Sequence, residues 1–228
     1  MFNTKPLVAL FEKHLYAFRT HELFGWLLDD VLAGFGVPIE YPPRAESHEL
    51  LKELSGQYAS LVRDHAPFSD LLGQLYMALA YRSVKGSMGQ YFSPPNLATM
   101  MAEITIGGGE MPRGQPVRVC DPACGSGVML LSTAEVVLRR HGEDSLKDLS
   151  LTGTDIDPLC SKMAAVQLLG SCAMHGLSLG EVVIYRGNSL GSPQDLTVVV
   201  HASNPAFDAS PPAHHPARVA ALQEAAAR

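Results

Sequence analysis

Apolar residues recur at steps of three and four through most of the first 85 positions. Leu7, Leu10, Phe11, Leu15 and Phe18, then Leu23, Trp26, Leu27, Val31 and Leu32, keep that spacing across 5–36, as the buried stripe of amphipathic helices requires. Gly34 and Gly36 end the run, and three prolines make 37–44 a loop. Helical spacing resumes at Leu50, Leu51, Leu54, Tyr58, Leu61 and Val62, and a further helix is predicted over 69–81, starting from a cap at Ser69. Residues 1–85 thus read as a helical domain with no catalytic constellation, a packing or docking module.

The stretch 85–95, K-G-S-M-G-Q-Y-F-S-P-P, breaks the pattern before a helix through Leu97, Met100, Met101 and Ile104. Ser93 is placed to cap that helix, with Pro94 and Pro95 near the first turn, where a missing N–H costs little. The adjacent Tyr-Phe pair could form a pocket wall. Beyond 116 the period changes. Strands are predicted at 117–120, 149–154, 182–185 and 196–200, with helices at 128–140 and 158–175. Strands alternating with helices of this length predict a parallel sheet with right-handed crossovers. Ligands of such sheets sit at the carboxyl ends of the strands, where Asp121, Asp155, Asn188 and Asn204 are expected to meet. Residues 86–228 would form this α/β domain.

Composition narrows the class. A chain of 228 residues, 46% of them hydrophobic, can bury a core. A formal net charge of -6 argues against a surface that grips nucleic acid unaided. No apolar run approaches the ~20 residues needed to span a bilayer, and no secretory leader opens the chain, so a cytoplasmic protein is expected. Cys120, Cys124, Cys160 and Cys172 form no C-x-x-C pair, which predicts reduced, mostly buried thiols and no metal centre.

The candidate chemistry centres on 117–130, V-R-V-C-D-P-A-C-G-S-G-V-M-L, an apolar strand that runs through a glycine bend into a helix. Gly125 and Gly127 would let a ligand lie against the main chain. A dinucleotide fingerprint would place a glycine or alanine three residues after Gly127, where Leu130 stands, and a phosphate-binding loop would need Gly-Lys-Ser or Gly-Lys-Thr. No lysine or arginine lies between Asp121 and Leu138. Asp121, Gly125 and Gly127 suit a ligand carrying a cation, an amino-acid group and a nucleoside.

D-P-A-C-G-S-G at 121–127 resembles the first motif of S-adenosylmethionine-dependent DNA adenine-N6 methyltransferases, in particular the modification subunits of type I restriction systems. G-Q-Y-F-S-P-P at 89–95 resembles the segment that precedes it there. G-T-D-I-D-P at 153–158, R-G-N-S-L at 186–190 and S-N-P-A-F at 203–207 follow in the family's order, so the resemblance covers 89–207. It implies a Rossmann-like class I methyltransferase sheet, here incomplete, after the α-helical domain. It implies that Ser93 helps hold the methionine carboxylate of S-adenosyl-L-methionine, while Asp121 and the backbone at Ala123, Gly125 and Gly127 cradle the methionine part. Asp155 would accept from the ribose hydroxyls, Ile156 would pack on the cofactor adenine and Asn188 would contact its amino group. Taken singly, Asp155 reads equally well as a helix cap and Asn188 as a turn residue.

In that family the target adenine is extruded from the DNA helix. The resemblance makes Asn204 and Pro205 acceptors for its exocyclic amine and Phe207 a stacking surface, with positioning and electrostatics supplying most of the rate. The family has a second proline where this chain has Ala206, which frees a dihedral and weakens catalysis. After 208 there is no target-recognition region, and a strand at 196–200 would leave an apolar sheet edge that a second copy or a protein partner covers. DNA recognition would need a separate specificity element. Two alternatives stand beside adenine methylation: a catalytically weak or inactive regulatory protein that binds S-adenosylmethionine, and a protein glutamine methyltransferase, which also joins a helical domain to an Asn-Pro-Pro-aromatic motif.

Overall fold

The structure is a computed structural model, and it describes residues 4–14, 17–39, 47–82, 92–106, 108, 111, 116–205 and 207. Four helices come first: α1 (Lys5–Lys13), α2 (Thr20–Gly34), α3 (His48–Arg63) and α4 (Leu71–Arg82). Their apolar spacing does what it implies, since Leu7, Phe11, Leu23, Leu27, Leu54, Tyr58 and Leu75 are all buried. α4 begins later than Ser69. The Ser69 hydroxyl turns back to the Ala66 carbonyl at 2.7 Å, and it is the Asp70 carboxylate that accepts from the Gly73 N–H in the helix's first turn, at 3.1 Å.

α5 (Pro95–Thr105) follows, with Pro94 at its N-cap and no side-chain cap, so Ser93 is exposed and does not cap it. Pro94 has an extended ψ of 136°, and the boundary therefore falls one residue beyond Ser93. The face of α5 that packs is Ala98 and Ala102, whose small side chains let a neighbouring helix approach. Leu97, Met100, Met101 and Ile104 stay exposed, Ile104 by 75%.

The α/β part runs β1 (Val117–Asp121), α6 (Val128–His141), the short α7 (Glu143–Leu146), β2 (Leu149–Asp155), α8 (Pro158–His175), β3 (Glu181–Arg186) and β4 (Thr197–Ser203). α5 packs on α6, and Glu103 pairs with Arg139 and Arg140 at 2.5 and 2.6 Å. The strands form one sheet in the order β1-β2-β3-β4, with β1, β2 and β3 parallel. β2 and β3 are buried almost throughout, as strands covered on both faces are.

β4 departs from the expected parallel sheet. It pairs with β3 antiparallel, from Arg186↔Thr197 to Glu181↔Ser203, with a bulge at Ile184/Tyr185. The cause is the connection. Only ten residues separate Arg186 from Thr197, and they are spent on a turn near Asn188 and a 3-10 turn at Pro193–Asp195. A parallel crossover takes a dozen residues or more, usually with a helix, so a connection this short returns the chain along the strand it left.

The helices do not form a core of their own. α2, α3 and α4 all pack against α8, Lys162 pairs with Asp29 across that contact at 2.6 Å, and one cluster of buried side chains runs from Leu7 to Val200.

Candidate active site

At the carboxyl ends of the parallel strands, β1 delivers Asp121 and β2 delivers Asp155, and the chain bends between them and the helices that follow. Four N–H groups of the bend have specific acceptors. Ala123 donates to Asp121 Oδ1 at 3.1 Å, Cys124 to the Thr154 carbonyl at 2.9 Å, Gly125 to Asp155 Oδ2 at 2.8 Å and Gly127 to the Cys124 carbonyl at 2.7 Å. The other oxygen of Asp155 accepts from the Asp157 N–H at 2.9 Å. Capping of α8 is done by Asp157, whose carboxylate takes the Leu159 N–H at 2.8 Å. Asp155 is thereby free of that task and stands between the loop and the strand end.

The glycines have different reasons to be glycine. Both lie at positive φ, 53° at Gly125 and 90° at Gly127, where a side chain strains the backbone. A Cβ at 127 would also meet the Ala164 backbone at 3.0 Å, so this residue lets the loop sit directly on α8. A Cβ at 125 would meet the Phe92 ring at 3.0 Å. Phe92 in turn lies 5.7 Å from Tyr76, which lies 5.5 Å from Phe24, so an aromatic row runs from the helical region to the loop. Of the Tyr-Phe pair, Phe92 lies against the loop at Gly125, and Tyr91 lies outside the described residues.

Around this bend Ala123 and Ser93 are exposed, and Ile156 presents an apolar side chain that is 72% exposed beside Asp155. Asn188 is exposed beyond the end of β3, and its Oδ1 accepts the Leu190 N–H at 3.0 Å, which is a turn interaction. Burial, with the Asp155 carboxylate nearby, holds the Asp121 carboxyl above its ordinary value. Burial first, and then the two carboxylates, also push the Cys124 thiol up, so that it stays a protonated, unreactive packing group.

Asn204, Pro205 and Phe207 are not part of this cluster. Because β4 runs antiparallel, Ser203 pairs with Glu181 at the start of β3, and the motif falls at the opposite edge of the sheet from Asp121 and Asp155. There the Asn204 N–H donates to the Gly180 carbonyl and its Nδ2 to Ser178 Oγ, at 2.8 and 2.9 Å. Pro205 is exposed, and Ala206 lies outside the described residues. Phe207 is buried against Gly180, with the Arg118 guanidinium 5.8 Å from its ring centroid. The expected meeting of four polar positions at one edge therefore reduces to three.

Sequence reasoning also missed a buried polar cluster behind the loop, in which Gln167 joins Asp70 and Ser126. Its sign was a glutamine in the middle of an apolar stretch of helix.

The structure is thus an α/β chain with an acid at the ends of two neighbouring parallel strands and a two-glycine bend held by one of them. A family model described as N-6 DNA methylase matches residues 68–218, and the chain belongs to that family. Among curated relatives, the HindI methylase subunit of a type I restriction enzyme of Haemophilus influenzae is 26% identical over 135 residues, covering 58% of this chain and 27% of the relative. The MjaIX methylase subunit of Methanocaldococcus jannaschii is 29% identical over 104 residues, covering 44% of this chain and 17% of the relative. The chain thus spans well under a third of either. Among solved structures, a class I S-adenosylmethionine-dependent methyltransferase from Listeria monocytogenes aligns with a TM-score of 0.47 and 13% identity over 82% of this chain and 54% of that one. The modification subunit of a type I restriction enzyme from Vibrio vulnificus aligns at 0.44 and 20% over 72% and 32%. No described helix is long and apolar enough to cross a membrane.

Proposed function

We propose that this chain carries the cofactor-binding part of an enzyme that transfers a methyl group from S-adenosylmethionine to the N6 amino group of adenine in DNA, of the type I modification kind. The observation that carries the reading is the Asp155 carboxylate. It closes the glycine bend through the Gly125 N–H, with a second acid, Asp121, at the end of the neighbouring strand. Two acidic groups and a loop with no lysine or arginine between Asp121 and Leu138 along the chain fit a diol and an ammonium better than a phosphate. Asp155 would take the ribose hydroxyls, Ile156 would lie on the adenine, and Asp121 with the backbone at Ala123, Gly125 and Gly127 would hold the methionine part, Ser93 reaching its carboxylate and Asn188 the adenine amine. Bound there, the cofactor supplies an electrophilic methyl group on a sulfonium. The DNA target would be selected by a separate specificity element.

Calorimetric titration of the folded chain with S-adenosylmethionine tests this. Binding is expected, and Asp155→Ala should weaken it at least ~100-fold, since a charged acceptor of two hydroxyls and the tie of the loop go together. Absence of heat in a folded sample would overturn the reading.

The position of β4 favours a second reading, a protein that binds the cofactor without methylating. Asn204, Pro205 and Phe207 would have to stand beside the cofactor to hold an adenine, and β4 carries them to the far edge. Incubation with a tritiated methyl donor and mixed duplex DNA separates the two. Incorporation above that of Asn204→Ala supports the enzyme, whereas equal counts from both support the non-catalytic protein.

A further inference from the structure

Gln167 stands mid-way along α8, where the neighbouring Met163, Ala164, Ala165, Val166 and Leu168 are all buried, and it is itself only 2% exposed. Burying a primary amide costs free energy unless its donors and its acceptor are matched. Here they are. Oε1 accepts from the Leu71 and Leu72 N–H groups at 2.7 and 2.8 Å, and Nε2 donates to Asp70 Oδ1 and to the Ser126 carbonyl, both at 2.8 Å. One side chain therefore joins the first turn of α4 to the peptide between the two left-handed glycines of the loop. Asp70 completes the cluster. It accepts from Gly73, and a Cβ at Gly73 would come within 2.5 Å of that carboxylate and 2.7 Å of the Ser126 hydroxyl.

We propose that Gln167 and Asp70 are positioning residues for the cofactor loop, and that the start of α4 is part of the cofactor site's support and not only a docking surface. The proposal rests on the cofactor reading of 121–127. A residue with glycine on both sides sits in a segment of unusual rotational freedom, so a loop of this kind needs an outside clamp to be formed before its ligand arrives. The Ser126 carbonyl is the handle, and Gln167 holds it. A site held in this way loses precision when the shell behind it is altered, even though no touching group has changed.

Gln167→Glu is the informative variant. It keeps the shape and still accepts from Leu71 and Leu72, but it offers the Ser126 carbonyl no donor and sets a second carboxyl against Asp70. Val62→Ala serves as control, because Val62 is buried in α3, which packs on α1, α2 and α8. Two measurements are made on the full chain at a temperature where every variant is folded: the affinity for S-adenosylmethionine and amide hydrogen exchange. The reporting amides are Cys124, Gly125 and Gly127, whose bonds define the loop. For Gln167→Glu, affinity should fall about tenfold and the three loop amides should exchange faster, with those of β2 and β3 unchanged. Val62→Ala should lower the melting temperature and leave affinity and loop exchange within about twofold of the parent. Unchanged loop exchange in Gln167→Glu, or an equal loop effect in Val62→Ala, would overturn the proposal. If the parent itself binds no S-adenosylmethionine, the cofactor reading fails, and the exchange comparison still decides the clamp. Should Gln167→Glu not fold, Gly73→Ala, which pushes a methyl group into the same cluster without harming helix propensity, is read against the same control.

Discussion

At the scale of single residues, the site is a set of acids given separate tasks by their positions. Asp157 caps α8, Asp155 ties the loop to the strand end, and Asp121 folds its own turn through Ala123. Asp70 is a fourth acid with a different consequence. Burial raises its pKa above the ordinary carboxylate value, and the hydrogen bonds from Gln167 and Gly73 only partly oppose that. The folded chain then keeps a proton that the unfolded chain has already released. The contribution to stability is therefore complete below the unfolded-state pKa and is lost as pH rises through the raised folded-state value. Urea unfolding of the parent and of Asp70→Asn, which cannot titrate there, should show the parent's stability declining relative to the variant as pH rises from about 4 to 8. A difference that stays flat with pH would contradict it. Much at this scale was legible in the chain. Asp155 and Gly125 announce themselves by motif and spacing, whereas Asp70 does not, because its side-chain partner Gln167 lies 97 positions along the chain and no local pattern joins them.

At the scale of elements, β4 is the strand whose surroundings differ most from expectation. Only Val200 of its seven residues is buried, so the strand is held by its ladder with β3, by the contact of His201 Nε2 with the buried Glu181 Oε1 at 3.0 Å, and by Phe207 just beyond its end. Removing the ring in Phe207→Ala should cost about 3 kcal/mol locally, the lower part of the range for a buried Phe at the margin of a core. Limited proteolysis in 187–205 should then quicken by roughly two orders of magnitude, with the parallel strands still protected. Equal cleavage rates would show that the ring is not what seats the strand. The apolar run of β4 was readable as a strand, and its direction was readable too, from the ten-residue connection. The alternation of strands and helices pointed to a parallel sheet throughout, although no helix is predicted between 185 and 196. α5 misled in a similar manner: helical spacing picked out Leu97, Met100, Met101 and Ile104, yet the contact with α6 is made by Ala98 and Ala102. Spacing identifies the helix, and close approach selects its smaller residues.

At the scale of the whole molecule, the helical region and the α/β part share one buried cluster, with α8 as the element both press upon. Scanning calorimetry of the chain should accordingly give one cooperative transition, with the calorimetric and van't Hoff enthalpies equal. Two resolved peaks would mean that 1–85 and 86–228 melt as independent units. The division into helices followed by strands and helices was plain in the period of the sequence. The sharing of a core was not, since it depends on which helix faces meet across α8.

The hairpin of β3 and β4 also bears on the order of events during folding. A ten-residue connection lets two strands find each other in about 1–10 μs, while pairing β1 with β2 and β2 with β3 must wait for the helices between them. β4 should therefore be in place before β1 arrives. On that order Phe207 would settle first on Gly180, which the hairpin brings with it, and Arg118 of β1, 5.8 Å from the ring centroid in the folded chain, would close over it only when the sheet is complete.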